Sequence, residues 1–512
     1  MPRFIWFILA VAMLIVGYLV YGKFVEKVFG IKPERATPAK LKNDGVDFVA
    51  MPKWKLWLIQ LLNIAGVGPV FGPILGALYG PVALLWVVFG TIFAGAVHDY
   101  FSGMLSVRYG GANVPDIVGY NLGKGAKYVM RVFATILLLL VGVVFATAPA
   151  GLLAKLTVDF FENIIDNIIP MIFWYNTDSS LYFLLTNYVA NNITMITMTF
   201  WIVIIFAYYF LATIVPIDKI IGRIYPIFGA LLIIMAIGVT IGLFVYKSGD
   251  FYSWCDFDVN PHPKGLPIWP LVFITIACGA LSGFHSTQSP LMARCLENEK
   301  EGRMVFYGGM VAEGFIGLVW VTVGMTFYPT AQELMNAGGP ASVVFESCRD
   351  LLGPIGGILA ILGVVILPIT SGDTAFRACR LTIAEAIHTE QTKATSRLLI
   401  AVPVFIIGII LSQVDFNVIW RYFGWSNQSL AAIALWAAAA YLYRRNKLHW
   451  IASIPATFIT SIAAAYILYE PNMGFGMDLT VSNGVGIVFG LACLVALLVF
   501  GKRPVADEPA GV

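Results

Sequence analysis

Charged residues are scarce in this chain, at 12% of the total, whereas a soluble domain carries about 25%. This scarcity excludes an ordinary soluble enzyme or binding module. The net charge of +3 is also too small to indicate a nucleic-acid partner. Between its apolar runs the chain has no polar stretch long enough for a separate catalytic or sensor domain. A receptor that signals through such a domain is therefore disfavoured.

Cysteine is rare as well, with six residues and no C-x-x-C spacing. This pattern argues against structural zinc, and we predict neither a bound metal nor an organic cofactor. Cys255 and Cys348 both fall in predicted outer loops. An oxidising face would permit a disulfide between them, and two free thiols are the alternative.

Apolar length is what the chain has in abundance, since 59% of its residues are hydrophobic and its mean hydropathy is +0.83. A helix needs roughly 20 apolar residues to cross a bilayer, and runs of this kind recur along the sequence. They predict an all-α polytopic protein with about thirteen transmembrane helices in the lipid bilayer. The predicted spans are 4–22, 57–79, 81–107, 130–152, 189–215, 224–246, 268–293, 304–328, 354–376, 398–414, 427–443, 450–468 and 484–500.

The first apolar run, 4–22, is compatible with a retained helix or with a cleaved signal peptide. Only Arg3 precedes it and no A-x-A-like site follows it, which favours the retained helix. Basic residues are dense in the next segment, 23–55, and cytoplasmic loops carry an excess of Lys and Arg. The N-terminus is therefore predicted to lie outside the membrane.

Lysine and arginine fix the orientation of the remaining spans. When thirteen spans alternate from an outside N-terminus, most of the 32 basic residues fall on the inner side. Removing one span would reverse this bias downstream of it, so the C-terminus is predicted to be cytoplasmic. The basic residues left outside are Arg3, Lys155, Lys247, Lys264, Arg349 and Arg421.

Two of the spans are interrupted by glycine. The first interruption lies in 64–73, with the sequence IAGVGPVFGP, and the second lies in 276–286, with the sequence IACGALSGFHS. Unwound backbone at membrane depth is tolerated only where protein, water or a ligand satisfies it. Interruptions at matching positions in two halves indicate the binding site of a secondary transporter.

Each interrupted span opens a block of five spans. The block 57–246 enters the membrane from inside and the block 268–443 enters from outside, so the two are inverted relative to each other. This arrangement resembles the five-plus-five inverted repeat of LeuT-type transporters. The segment 1–56 would add one helix and an inner loop, and 450–512 would add two helices and a tail.

The interruptions supply the candidate substrate-binding residues. Pro69 and Pro73 each remove a backbone donor, which favours unwinding, free carbonyls for a cation and a half-helix N-terminus for a carboxylate. Glycines four residues apart also suit close helix packing, which is the alternative for Gly76 and Gly80. An ionisable residue inside a span, such as His285, usually faces a cavity or a partner. The candidates are Asn63, Gly66, Gly68, Gly72, Gly279, Ser282, Gly283, His285 and Ser286.

Candidates for proton coupling lie in two other spans. His98 and Asp99 form an adjacent imidazole–carboxylate pair that suits a proton relay, and a structural network near the inner side is the alternative. Glu313 lies near the predicted midplane, where a carboxylate must be protonated or partnered. Asn427 and Gln428 could bond across helices, and ordinary packing is the preferred interpretation.

An ion site is implied by the likeness to LeuT-type transporters. In those proteins the helix equivalent to 354–376 gives a hydroxyl pair to a sodium site shared with the first broken helix. Hard cations prefer oxygen ligands, and the matching residues here are Thr370, Ser371 and Asp373. An ordinary helix end, with Asp373 near Arg377, is the alternative.

Several segments, in the same order, resemble the carbon-starvation protein A (CstA) family over most of 50–440. The resemblance implies a proton-driven importer of peptides or, in some members, pyruvate. It also implies a bacterial or archaeal inner membrane and a link to nutrient limitation. The segments are NIAGVGPVFGPIL (63–75), GAVHD (95–99), SVR (106–108), ACGALSGFHS (277–286), YGGMVAE (307–313) and FGWSNQSLAA (423–432).

The function predicted from these observations is import of small carboxylate nutrients, pyruvate or short peptides, coupled to H⁺ or Na⁺ by alternating access. An uncoupled channel is the first alternative. A membrane-embedded enzyme is the second, and its nucleophile would be Ser282 activated by His285 or paired with Ser286. That pairing is weak, because no orienting carboxylate lies nearby in sequence.

Overall fold

The computed structural model describes residues 2–172, 180–214, 221–391 and 393–502. Within these ranges the chain forms helices and loops, with one isolated bridge between Met51 and Leu296. The predicted inner residues Lys219 and Arg503 and the end of the tail lie outside the described residues. The helices are α1 (Phe4–Phe29), α2 (Lys53–Ile64), α3 (Gly68–Tyr79), α4 (Pro81–Arg108), α5 (Val114–Leu122), α6 (Lys124–Ile172), α7 (Ser180–Ile214), α8 (Ile221–Tyr246), α9 (Ile268–Thr275), α10 (Gly283–Ala293), α11 (Glu299–Phe327), α12 (Ala331–Asn336), α13 (Pro340–Ile361), α14 (Leu367–Ala386), α15 (Ala394–Leu411), α16 (Phe416–Arg444), α17 (Trp450–Tyr469) and α18 (Leu479–Phe500), beside a single turn at Pro38–Leu41.

A helix lies at each predicted span, and the chain is a multi-pass membrane protein. Among the described residues, nine helices are long and apolar enough to cross a bilayer, or ten if the bent pair α2–α3 counts as one span. The second interrupted span is not among them, because it is divided into helices of 8 and 11 residues, which are each too short to cross a bilayer. The number of thirteen spans therefore stays a prediction, as do the domain limits and the inverted repeat.

The helices α6 and α7 are much longer than predicted. The span 130–152 lies within α6, which has 49 residues and would be about 74 Å long at ~1.5 Å per residue. The hydrocarbon core is only about 30 Å thick. The helix thus continues beyond the predicted span through residues 153–172, and the outer position predicted for Lys155 stays a prediction. The physical reason is that neither glycine nor proline interrupts 152–169, so the helix continues beyond the apolar run.

The centre of the bundle is formed by α4 and α11. Their most apolar windows are each 78% buried inside the protein, whereas those of α1 and α18 are only 22% and 17% buried. A helix that is apolar on all sides and little buried faces lipid. The peripheral helices therefore insulate the core that α4 and α11 share with the interrupted helices.

The first break comprises residues 65–67, between α2 and α3, and bends the chain by 50°. The amide of Gly66 donates to the carbonyl of Ile64 (3.0 Å), so the backbone partly satisfies itself here. A Cβ at Gly66 would lie 2.5 Å from the ring of Phe145. Only a residue without a side chain allows this approach.

The second break comprises residues 276–282, between α9 and α10. It is more than twice as long as the first break and turns at Gly279, whose φ is +83°. This left-handed conformation is costly for residues other than glycine. The predicted unwinding of both interrupted spans is therefore present in the fold.

The two interrupted helices pack directly against each other through glycine. A Cβ would lie 2.4 Å from Cys278 Sγ at Gly68 and 2.3 Å from Ile276 Cδ1 at Gly76. At Gly72 it would lie 2.9 Å from the carbonyl oxygen of Thr275. The packing interpretation thus holds for Gly76, and it extends to Gly72, which was predicted to bind substrate.

Cys255 and Cys348 are both buried, free thiols. The alternative of a disulfide between them was therefore wrong. Both side chains are fully enclosed by the apolar core, and free cysteine behaves as a small hydrophobic residue in such surroundings.

Candidate functional site

Four ionisable side chains form one buried network at the second break. His285 Nδ1 lies 3.0 Å from Asp99 Oδ2, and His285 Nε2 lies 3.3 Å from Glu313 Oε2. His98 Nδ1 lies 2.8 Å from Asp99 Oδ1. All four side chains are fully shielded from solvent. We call His98, Asp99, His285 and Glu313 the proton network.

The network is tied to the unwound backbone. Glu313 Oε1 accepts a hydrogen bond from the amide of Gly279 (3.0 Å). Thr91 on α4 donates from Oγ1 to the carbonyl of the same glycine (3.0 Å). A change in the charge of Glu313 would therefore act directly on the conformation of the second break.

Small residues let the helices approach closely enough for these contacts. A Cβ at Gly95 would lie 2.2 Å from the carbonyl oxygen of Ala280, and a Cβ at Gly314 would lie 2.5 Å from Thr91. The part of α4 before the network, Trp86–Gly95, is a π-helix, a form that often occurs at functional sites. The glycines and this widened turn aim Asp99 at α10.

The charges of the four side chains determine which chemistry the network suits. Two carboxylates and two imidazoles, buried together, are costly unless they neutralise one another. Groups at these distances titrate as a unit rather than singly. His98 Nε2, His285 Nε2 and Glu313 Oε2 are buried and have no hydrogen-bond partner among the described residues, so the network has spare capacity to bind a proton. The arrangement suits the uptake and release of protons.

Asn427 and Gln428 on α16 satisfy the backbone of the second break. The Asn427 side-chain oxygen accepts from the amide of Phe284 (2.7 Å) and from the hydroxyl of Ser282 (3.1 Å). Gln428 donates to the carbonyl of Phe273 (2.9 Å). We interpreted the pair from the sequence as packing, and the adjacent N–Q dipeptide opening a polar turn was the signal of this role.

The serines of the second break do not contact His285 among the described residues. Ser282 donates to Asn427, and Ser286 donates to the carbonyl of Gly283 (2.7 Å). Both nitrogens of His285 face carboxylates instead. This geometry does not support the nucleophile of a membrane-embedded enzyme, which needs a base within hydrogen-bond reach.

The first break has fewer polar partners. Ser371 donates to the carbonyl of Leu62 (2.9 Å) and so reaches this break from α14. Asp373 instead accepts from the hydroxyl of Tyr208 on α7 (2.8 Å). Thr370 is buried. Ser371, one of the three predicted ion-site residues, thus contacts the first broken helix.

Asn63 is the second-last residue of α2, two positions before the first break. Its side chain is fully buried, and neither its amide oxygen nor its amide nitrogen has a hydrogen-bond partner among the described residues. Buried polar groups are nearly always satisfied, so this side chain marks a place for water or a ligand.

A narrow cavity connects the two breaks with α16. It has room for about one water molecule, and it is lined by Gly68, Gly72, Cys278, Trp420, Phe423 and neighbouring residues. The ring of Phe145 lies 6.1 Å from that of Phe284 and 6.3 Å from that of Phe423. The central site is therefore closed in this conformation, with aromatic rings around it.

Comparison with known proteins identifies the family. The sequence profile described as carbon starvation protein CstA matches residues 3–355 and 343–465. A membrane protein of Haemophilus influenzae without assigned activity is 50% identical over 363 residues, which cover 67% of this chain and 96% of the relative.

Two more distant relatives carry functional names. The peptide transporter CstA of Campylobacter jejuni is 26% identical and aligns over 94% of this chain and 82% of its own length. The pyruvate/proton symporter BtsT of Escherichia coli is 26% identical over 71% of this chain and 57% of its own length.

A solved structure supports the fold predicted from the broken helices. The crystal structure of MhsT, a LeuT-fold protein, in complex with L-phenylalanine is similar with a TM-score of 0.53. The match covers 89% of this chain and 99% of MhsT at 13% identity, so it shows the fold alone. The family match and the named relatives establish that the chain belongs to the carbon starvation protein CstA family and is a membrane transporter.

Proposed function

We propose that this chain is a proton-coupled importer of small carboxylate nutrients, pyruvate or short peptides. The observation that carries the proposal is the proton network, in which His285 lies between Asp99 and Glu313. Ionisable residues inside a membrane domain are expensive and usually functional. The relatives named as a pyruvate/proton symporter and as peptide transporters support the same conclusion.

Protonation of Glu313 is the proposed coupling step. The charged carboxylate holds the Gly279 amide and lies beside His285. A hydrogen bond to a charged group is about twice as strong as one between neutral groups. A proton on Glu313 would weaken both contacts and free the second break to change shape. Substrate binding and protonation would then both shift the equilibrium between two conformations of the second break.

The substrate carboxylate is proposed to bind at the N-terminus of α10. The Phe284 amide and Ser282 hydroxyl there are occupied by the Asn427 oxygen, a neutral oxygen acceptor in the place where a carboxylate would be favoured. The rings of Phe145 and Phe423 would cover the apolar part of the substrate. Asn63 would supply its amide to the same site.

The orientation belongs to the same proposal. We place the protein in a prokaryotic inner membrane, with the N-terminus outside and the C-terminus in the cytoplasm. The two blocks 57–246 and 268–443 would form the inverted repeat, and one block would rock against the other around the breaks. The likeness to MhsT supports this arrangement.

Uptake of labelled pyruvate into proteoliposomes tests the proposal. We expect accumulation above equilibrium under an inward proton gradient, without a requirement for sodium. Uptake that only reaches equilibrium would indicate an uncoupled channel. Accumulation driven by sodium alone would move the coupling site to Ser371. If pyruvate is not taken up, competition by short alanyl peptides identifies the other substrate class.

The variant Glu313→Gln separates coupling from binding. Loss of a hydrogen bond to a charged group costs about 1.5–3 kcal/mol, which corresponds to roughly a 10- to 100-fold fall in gradient-driven uptake. Exchange of substrate across the membrane without a gradient should survive. The matched control is Glu333→Gln, which removes a carboxylate from an exposed position on α12.

A further inference from the structure

The segment 30–52 joins α1 to α2 on the predicted inner side, and the proposed transport site does not use it. Its first residues are anchored to a buried ion pair, in which Arg108 Nε lies 2.9 Å from Glu299 Oε1. Glu299 Oε2 accepts a hydrogen bond from the amide of Lys32 (2.6 Å), and Arg108 donates to the carbonyl of Gly30 (2.8 Å). We call residues 30–52 the strap.

The far end of the strap joins the inner ends of the two interrupted helices. The amide of Met51 donates to the carbonyl of Cys295 (3.1 Å), two residues beyond the end of α10. The strap then leads directly into α2, which begins at Lys53. Short hydrogen bonds thus fix the strap at both ends.

The middle of the strap carries a preformed turn. One carboxylate oxygen of Asp44, Oδ1, accepts hydrogen bonds from the amides of Val46 (2.8 Å), Asp47 (3.0 Å) and Phe48 (2.9 Å). Hydrogen bonds to a charged acceptor are stronger than those between neutral groups. Asp44 therefore sets the positions of Asp47 and Phe48. We call residues 44–48 the tip.

The tip reaches α14 and the end of α10 through these two side chains. Asp47 Oδ1 lies 3.6 Å from Arg377 Nη1 on α14, and the guanidinium carbon of Arg294 lies 5.2 Å from the centre of the Phe48 ring. The ring also packs against Gly111. An ion pair at 3.6 Å lacks a short hydrogen bond, and a cation–π contact is modest in strength. The tip can therefore separate from α10 and α14 while both ends of the strap stay in place.

A cleft of about 380 Å³ lies between the tip, α14 and the loop that joins α4 to α5. Ligand pockets usually measure about 300–1,000 Å³, so the cleft has room for a small nutrient. Carboxylates outnumber cations along it, so it would not retain an anionic substrate, which suits an exit better than a binding site. The charged residues that line it are Lys42, Asp44, Asp47, Asp116, Arg294 and Glu385.

We propose that this cleft is the cytoplasmic exit of the transport path and that the tip is the gate that closes it. The inference rests on the proposed function and its orientation. His285 and Arg294 are nine residues apart at the inner side of one helix, so the proton network is roughly 14 Å from the cleft at ~1.5 Å per residue. Because the strap continues into α2, a movement of that half-helix would be transmitted to the tip.

The native thiol of Cys295 reports whether the tip is closed. Its side chain is fully buried, and its Sγ lies 3.9 Å from the carbonyl oxygen of Asp47. Burial raises the pKa of this thiol to about 12. Alkylation requires the thiolate and access to it, so a closed tip protects Cys295 and an open tip exposes it.

The rate of alkylation at Cys295 tests the gate. The purified full-length protein in nanodiscs is treated with a maleimide, and each cysteine is followed by peptide mass spectrometry. We expect Phe48→Ala and Asp47→Asn each to raise the rate at Cys295 roughly tenfold, which corresponds to about 1.4 kcal/mol in the opening equilibrium. Glu34→Gln, at an exposed position of the strap, should leave the rate unchanged.

Two other thiols report on global unfolding. Cys255 and Cys348 are buried on the predicted outer side and should stay protected in every variant. If one of the two tip variants exposes them as well, the other variant decides the comparison. Cys295 rates equal to that of the wild type in both tip variants would overturn the gate.

Uptake tests the exit separately. Thr389 lines the cleft, whereas Ile387 is exposed. Thr389→Cys, alkylated with a bulky maleimide before reconstitution, should lose most of its uptake of labelled pyruvate, or of an alanyl dipeptide if pyruvate is not transported. Ile387→Cys, treated identically, should keep it. Equal uptake by the two would overturn the exit. No uptake by the unmodified protein would contradict the proposed function instead, while the rates at Cys295 still decide the gate.

Discussion

The unwound backbone of the two breaks is stabilised in different ways. The first break spans three residues and is covered mainly by apolar groups, with one hydroxyl from Ser371. The second break spans seven residues and receives hydrogen bonds from three other helices. Its partners are Trp86 and Thr91 on α4, Glu313 on α11, and, on α16, Asn427 at Ser282 and Gln428 at the carbonyl of Leu281. Glu313, which can change charge, bonds to the second break, whereas Ser371 brings a neutral hydroxyl to the first break.

This difference assigns separate tasks to the breaks. Backbone held by ionisable partners can respond to a proton, whereas backbone held by apolar packing responds to shape. Under the proposed function, the second break would carry the coupling, and the first break would provide a close-packed surface beside the substrate. The comparison can be tested by substitutions that disturb the charged partners, the close packing or the hydrogen bonds of the breaks one at a time.

Removal of Asp99 should have the largest effect. Asp99→Ala leaves two histidines without their shared carboxylate, and breaking a buried ion pair costs about 3–5 kcal/mol. We expect a comparable loss of free energy of unfolding in denaturant titration, and loss of gradient-driven uptake. Asp159→Ala, at an exposed position on α6, is the control. A stability loss below about 1 kcal/mol would mean that the network is not charged in the folded protein.

A methyl group added beside the first break should destabilise the folded protein through steric overlap alone. Gly68→Ala brings a Cβ against Cys278, and overpacking of this kind costs about 1–3 kcal/mol. The measurement is the free energy of unfolding, with the proton dependence of the remaining uptake unchanged. Gly151→Ala on α6, where no atom lies within 4 Å of the added Cβ, should be neutral or stabilising. An altered proton dependence in Gly68→Ala would show that the first break also takes part in coupling.

Variants of Asn427 test whether its hydrogen bonds at the second break matter apart from its packing. Asn427→Leu leaves the Phe284 amide without its acceptor, at a cost of about 1–2 kcal/mol. We expect the KM of uptake to change roughly tenfold, because the same amide is the proposed carboxylate site. Asn427→Asp keeps an oxygen acceptor and should retain folding, while its negative charge opposes substrate binding. Equal KM values in all three proteins would contradict the carboxylate assignment.

Ser371→Ala should have the smallest effect. It removes one hydrogen bond to the Leu62 carbonyl, worth about 1 kcal/mol. Denaturant titration should show this loss, and uptake driven by a proton gradient should persist with the wild-type sodium response. A loss of uptake stimulation by sodium in this variant would instead assign an ion site to the first break.

Much of the fold followed from the sequence. Glycine and proline within 64–73 predicted one break, and a glycine-rich run predicted the other, because these residues weaken helices. The length of α6 could not be predicted in this way. The apolar run that marks a membrane span ends before the helix does, since helix propensity continues through the polar residues of 155–167.

The sequence supplied the members of the site and left their connections open. His98, Asp99, His285 and Glu313 were each recognisable as ionisable residues within apolar spans. Their sequence separations are too large for any helical periodicity to relate α4, α10 and α11. The roles of Asn427 and Gln428 were not recognised either, because polar amides in a span equally suit ordinary interhelical packing.

By itself, the sequence determined that this protein crosses a membrane many times and contains two interrupted helices, because apolar length and backbone-breaking residues act locally along the chain. Only the tertiary structure decided that one break carries the ionisable network while the other is sealed by apolar packing. The reason is that pairing of buried charge depends on contacts of about 3 Å between distant segments, and these contacts exist only after the helices have packed.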